Sequence, residues 1–164
     1  MKRFLFYVLT IWLVLWAQVL HNHYLGGSRF SVDLILIVVL YFGLLRGPVT
    51  GQVMGFVWGL LIDASSLGVM GLHGLLYALA GYGAGMLRRQ LDESKAFTQV
   101  ILTFAVSVCY TGLYLVLDHL FATTTRSMGW QLAVQPLVNA FLAPIFFWSV
   151  HAWVELWQLF PAEN

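Results

Sequence analysis

Six apolar segments, each bounded by polar, Gly or Pro residues, constrain this chain more than any other feature of its sequence. They run over residues 4–20, 30–45, 49–62, 72–87, 97–121 and 130–160. A polar surface cannot be built around them: only 9% of the 164 residues are charged and 60% are hydrophobic, where a soluble domain carries roughly 25% and 45–50%. The mean hydropathy of +0.83 identifies hydrocarbon as the intended solvent. The expected fold is all-α, a polytopic membrane helical bundle of about six transmembrane helices that forms one membrane domain over residues 1–164.

Charge placement sets an expected orientation. With both termini cytoplasmic, Lys2, Arg3, Arg46, Arg88, Arg89 and Lys95 lie inside, and only Arg29 and Arg126 lie outside, as the positive-inside rule requires. The second and third segments are short for a helix rising about 1.5 Å per residue through a core of about 30 Å. Their end charges Asp33, Arg46 and Asp63 therefore belong near the interfaces, where a charge costs less than the roughly 2.5–3.5 kcal/mol of the centre. Met1-Lys2-Arg3 before Phe4–Leu20 reads as a retained first helix, since no small-x-small cleavage site follows. Trp130, Trp153, Trp157 and Tyr24 are expected at the interfaces, and Trp12, Trp16, Trp58 and Trp148 between helices. Pro48 suits a first helical turn, whereas Pro144 predicts a kink in the last segment. Cys109 lies inside an apolar run as packing. The net charge of +1 without a basic cluster excludes nucleic acid as a partner.

Gly47, Gly51, Gly55 and Gly59 recur every four residues through the third segment, and Gly71, Gly74, Ala78, Gly81 and Gly85 step by 3, 4, 3 and 4 through the fourth. In lipid, helices associate by close backbone approach, which small residues permit. These two faces predict the tightly packed heart of the bundle. They serve either internal packing or the docking of a partner helix.

Ionisable residues at membrane depth are candidate functional groups. Asp33 and Asp63 are expected at the outer ends of their helices, with His73 nearby, as an outer-side polar cluster. A proton relay or a cation site is one use of such a pair; a helix cap at Asp33, with Asp63 bonding the loop amides of Asp63-Ala64-Ser65-Ser66, is the other. No His-x-x-x-His metal spacing is present, and Ser65, Ser66 and His73 lack any Gly-x-Ser-x-Gly elbow or Ser-x-x-Lys pattern. His21 and His23 are expected in a solvated outer loop, Asp118 and His119 at the close of the fifth segment, and His151 with Glu155, four apart, as a pair. No catalytic residue, metal site or cofactor is expected.

The run Asp33-Leu34-Ile35-Leu36, then Leu45-Arg46-Gly47-Pro48, then Gly55-Phe56-Val57-Trp58-Gly59-Leu60-Leu61-Ile62-Asp63 and Leu67-Gly68-Val69-Met70-Gly71-Leu72-His73 resembles the bacterial rod shape-determining MreD family. There a helix opens on an acidic residue, and a Gly-rich helix ending in Leu-x-Asp leads into a Gly-Leu-containing loop. Val138-Asn139 with Pro144 beyond it is similar to the last helix of that family; Val32 stands where the family often has proline. The resemblance implies a non-enzymatic, multi-pass inner-membrane component of the elongation machinery. The partners it implies are membrane lipid, an MreC-like single-span protein, MreB, RodA and a penicillin-binding transpeptidase.

The family also looks like the substrate-binding subunits of energy-coupling factor transporters, so a small-molecule pocket among Asp33, Asp63, His73 and Trp residues is the rival expectation. The Ala-x-x-x-Ala docking signature common in the first helix of those subunits is absent from Phe4–Leu20.

Overall fold

The computed structural model describes residues 2–25, 32–65, 69–91, 95–121 and 131–157. Arg29, Ser66, Leu67, Gly68, Arg126 and Trp130 lie outside the described residues, as do the side chains of Lys2, Arg3 and Asp118. Among those described, six α-helices follow in order: α1 (Lys2–Leu25), α2 (Leu34–Arg46), α3 (Pro48–Ser65), α4 (Leu72–Met86), α5 (Ala96–Phe121) and α6 (Gln131–Leu156), with one 3-10 turn at Leu87–Arg89. Two of them, over Ala96–Phe121 and Val134–Leu156, are long and apolar enough to cross a membrane.

The centre of the bundle is α2. Its sequence LILIVVLYFGLLR has no polar face to offer, and a helix that is hydrophobic all round must be covered all round. Residues Leu34 to Leu44 are accordingly buried, against neighbours from α1, α3, α4 and α6. Aromatic rings lock these contacts: Phe42 packs with Phe6 and with Trp58 at centroid separations of 6.4 Å each, and Tyr41 meets Phe147 edge-on at 5.4 Å.

The turn into α3 needs a glycine. Gly47 has φ 93° and ψ 178°, a region that side chains exclude, and its amide closes α2 on the Gly43 carbonyl at 2.8 Å. Pro48 then opens α3, where its missing N–H costs nothing. The two small-residue faces meet each other. A Cβ on Gly59 would overlap the backbone of Gly74, one on Gly55 the carbonyl of Tyr77, and one on Gly85 the backbone of Pro48. Gly51 and Gly81 face each other, and Gly43 of α2 joins them, its Cβ position lying 2.6 Å from the Gly81 oxygen. Ala78 is buried in the same layer. Gly71 stands apart from the seam: it precedes α4 at φ 91° with nothing near its Cβ position, so backbone conformation and not packing requires it.

Several sequence expectations change here. Trp58 is fully buried, but Trp12, Trp16 and Trp148 face outward, on faces of α1 and α6 that turn away from the bundle. Trp153, near the end of α6, bonds Thr10 of α1 through its indole N–H at 3.1 Å. Cys109 is exposed and does not pack in the core. His21 and His23 belong to α1, which runs on to Leu25, and not to a loop. The last helix, α6, contains both Pro136 and Pro144.

Candidate functional site

The short α2 creates the chemistry of one end of the bundle. Thirteen residues span about 20 Å, so α2 starts among longer neighbours, where Val32 and Asp33 are buried and their backbone polar groups need partners. Side chains satisfy them. Gln18 of α1 donates through Nε2 to the Val32 carbonyl at 3.1 Å and accepts from the Leu34 amide through Oε1 at 2.9 Å. The Val32 amide donates to His21 Nε2 at 3.1 Å, and the Asp33 amide to Asn139 Oδ1 of α6 at 2.9 Å. Asp33 caps the helix, its Oδ1 accepting from the Leu36 amide at 2.9 Å.

The other Asp33 oxygen, Oδ2, accepts from the Tyr77 hydroxyl of α4 at 2.8 Å. The Tyr77 ring stacks on Tyr110 at 5.0 Å and 14°, and Tyr110 stacks in turn on Tyr114 at 6.5 Å. His73 closes the row, 5.2 Å from the Tyr114 ring and 6.1 Å from that of Tyr77. Its Nδ1 bonds Asp63 Oδ1 at 2.7 Å, and because a carboxylate only accepts, this nitrogen carries the proton.

Asp63 bonds the start of α4; Ser66, in the loop stretch that the sequence expectation named, lies outside the described residues. Asp63 Oδ2 accepts from the amides of Gly71 and Gly74 at 3.0 and 3.1 Å, and Oδ1 from the His73 amide at 3.3 Å. A carboxylate placed on the positive end of a helix is doubly favoured, by these bonds and by the helix dipole. Asp33, Asp63 and His73 thus share one end of the bundle, but only Asp63 and His73 touch; Asp33 reaches them through the tyrosines.

The residues that sequence reasoning missed are Gln18, Tyr77, Ser107, Tyr110, Tyr114 and the inward role of Asn139, whose amide also donates to Ser107 at 3.2 Å. A signal for them exists. Gln99, Thr103, Ser107, Tyr110 and Tyr114 step by 4, 4, 3 and 4 along α5, and the first three are buried. In lipid such a polar stripe turns inward. At the opposite end, His151 bonds Glu155 at 3.2 Å and the buried Tyr41 hydroxyl at 3.0 Å.

Chemically the cluster binds helices together. Among the described residues no group of three His, Cys, Asp or Glu side chains is placed to hold a metal ion. Ser65 Oγ donates to the Leu61 carbonyl of its own helix at 3.0 Å. Tyr77→Phe keeps the ring stack but removes the donor to Asp33, and it should lower stability by about 1.5–3 kcal/mol, as for a hydrogen bond to a charged group. Unfolding of the detergent-solubilised variant measures this, and an unchanged midpoint would show that the hydroxyl is dispensable.

Comparison with known proteins adds one match. The family described as rod shape-determining protein MreD matches residues 1–151. No match appears among curated proteins or among solved structures. The buried acid at the start of α2, the glycine helix ending at Asp63 and Asn139 in α6 all fall within the matched residues, and the chain belongs to the MreD family of bacterial rod shape-determining membrane proteins.

Proposed function

We propose that this chain is a non-enzymatic inner-membrane scaffold of the bacterial elongation complex, six helices crossing the membrane with both termini cytoplasmic. It docks an MreC-like single-span protein by helix contacts and, with MreB, RodA and a penicillin-binding transpeptidase, positions peptidoglycan synthesis. One observation carries this reading: the carboxylates and glycines that a ligand site would use are engaged inside the chain. Asp63 receives three backbone amides and an imidazole, and Asp33 a backbone amide and a phenol. What is left to offer another molecule is the apolar outer face. The same arrangement weighs against a transporter subunit, because stacked tyrosines occupy the space between Asp33 and Asp63 where its pocket would lie.

Depleting the chain from its bacterial host should turn rods into spheres, and a tagged copy should bring the MreC-like protein with it from solubilised membranes. Rods of normal shape after depletion, or isolation with an ATPase module and a vitamin-sized ligand, would contradict the proposal. The orientation is open to a separate test, since Arg46, Arg88, Arg89 and Lys95 all belong to the end opposite Asp33 and Asp63. Gln90, exposed at that end, is mutated to cysteine in a Cys109→Ser background. Membrane-impermeant maleimide should label it in inverted vesicles and leave it unlabelled in intact spheroplasts; the reverse pattern would invert the topology.

A further inference from the structure

The outward tryptophans of α1 form no hydrogen bond with any described residue, and their chemistry describes what they are for. Leu5, Leu9, Trp12, Trp16 and Val19 step by 4, 3, 4 and 3 along α1, the seam period of a left-handed helix pair. All five are exposed, Trp12 by 66% and Trp16 by 61%. Tryptophan ordinarily sits at the membrane interface, where its N–H meets water or headgroups, yet Trp12 lies near the middle of the 24-residue helix. Neither indole N–H has an acceptor among the described residues, and lipid tails offer none, which makes the position costly in bare lipid.

The same chain shows how an indole between helices is satisfied. Trp58 donates to the Ile11 carbonyl of α1 at 3.4 Å, and Trp153 donates to the Thr10 hydroxyl of α1 at 3.1 Å. Each uses an acceptor on the helix it faces. Beside Trp12 and Trp16 a groove of about 440 Å³ runs between α1 and Trp153 of α6. One turn of a helix about 10–12 Å wide and 5.4 Å in pitch occupies roughly 400–600 Å³.

We infer that the Leu5–Val19 face of α1, with the groove beside it, is the docking seam for one membrane-spanning helix of a different protein, which offers Ser or Thr hydroxyls, or carbonyls bared by small residues, to the Trp12 and Trp16 N–H groups. A second copy of this chain fits less well, since pairing through the same face sets indole donors against indole donors. The glycine faces are excluded as the seam because α3 and α4 fill each other's. This inference rests on the scaffold reading and adds the surface and the partner's chemistry.

The test uses the full chain, co-expressed with the MreC-like single-span protein of its host and carrying a photoactivated benzophenone residue at position 9 or 19 of the seam. Positions 104 and 141, occupied by the outward Phe104 of α5 and Phe141 of α6, are the controls. Adducts to the partner's membrane helix are expected from 9 and 19 and not from 104 or 141. In parallel the Trp12→Phe/Trp16→Phe double variant, which keeps the rings and loses the N–H groups, should hold the partner about tenfold more weakly with its own unfolding midpoint unchanged. Adducts from 9 and 19 only to lipid or to a second copy, with the partner captured from 104 or 141, would overturn the seam and leave the scaffold standing. Undiminished partner binding by the double variant would overturn the hydrogen-bonding role. Failure of the wild-type chain to retain the partner at all would overturn both the seam and the scaffold.

Discussion

Replacing Gly55 with leucine is expected to drive α3 and α4 apart and to remove most of the folded protein from the membrane. A Cβ there already overlaps the Tyr77 carbonyl and crowds the Ala78 amide at 2.9 Å, so even alanine must push backbone against backbone. Backbone has no rotamer by which to yield. Overpacking of this kind costs about 3 kcal/mol or more, a large part of a total stability of about 5–15 kcal/mol. The glycine contacts are also the main source of attraction between these helices, because dispersion at close approach replaces the hydrophobic drive that lipid lacks. Gly83 is the matched control. Nothing lies within 4 Å of its Cβ position, so Gly83→Ala should be neutral or stabilise by about 0.4–1 kcal/mol through the unfolded chain and helix propensity. Unfolding midpoints in detergent, compared across the two sites, measure the difference; similar behaviour of Gly55→Leu and Gly83→Ala would disprove the α3–α4 seam.

Asp63→Ala should be nearly as damaging for a different reason. The carboxylate gathers the amides of Gly71, His73 and Gly74 and the His73 ring, and its own side chain is fully buried. Its removal leaves these donors without their buried acceptor, the situation in which breaking a buried interaction costs about 3–5 kcal/mol. Asp63→Asn keeps one accepting oxygen but sets an amide donor against backbone donors, so it should lose less than alanine and more than Tyr77→Phe. That order, alanine below asparagine below Tyr77→Phe in midpoint, is the expected result. If Asp63→Asn instead matched wild type in midpoint and lost the ability to restore rod shape, the carboxylate would have a role outside stability.

The glycine spacing illustrates how much the sequence carries. A period of four along α3 and the 3,4 alternation along α4 require small residues on one face of each helix, and that pattern is readable because helical geometry is fixed. Which face meets which is not local information. Gly71 continues the α4 pattern on paper but belongs to the turn, since its place depends on where the helix starts. The tryptophans are ambiguous in sequence for a similar reason: an indole in mid-helix is equally compatible with burial and with the lipid face, and only the position of its neighbours separates Trp58 from Trp12 and Trp16.

By itself, then, the sequence determined an all-helical chain built for hydrocarbon, the two glycine faces, the acids at one end of the bundle and the likeness to the MreD family. Those follow from composition, helical period and short motifs, all of which act over a few residues. Only the tertiary structure decided that the two glycine faces bind each other, and that Asp63 holds the start of α4 while Asp33 holds the buried start of α2. The polar stripe of α5 completes that network, and the unpartnered indoles of α1 are left facing outward. Each of these joins residues far apart in the chain, Asp33 to Asn139 and Thr10 to Trp153 among them. Such pairs form only when helices pack, because at membrane depth a polar group has no water to turn to and must find its partner in another helix.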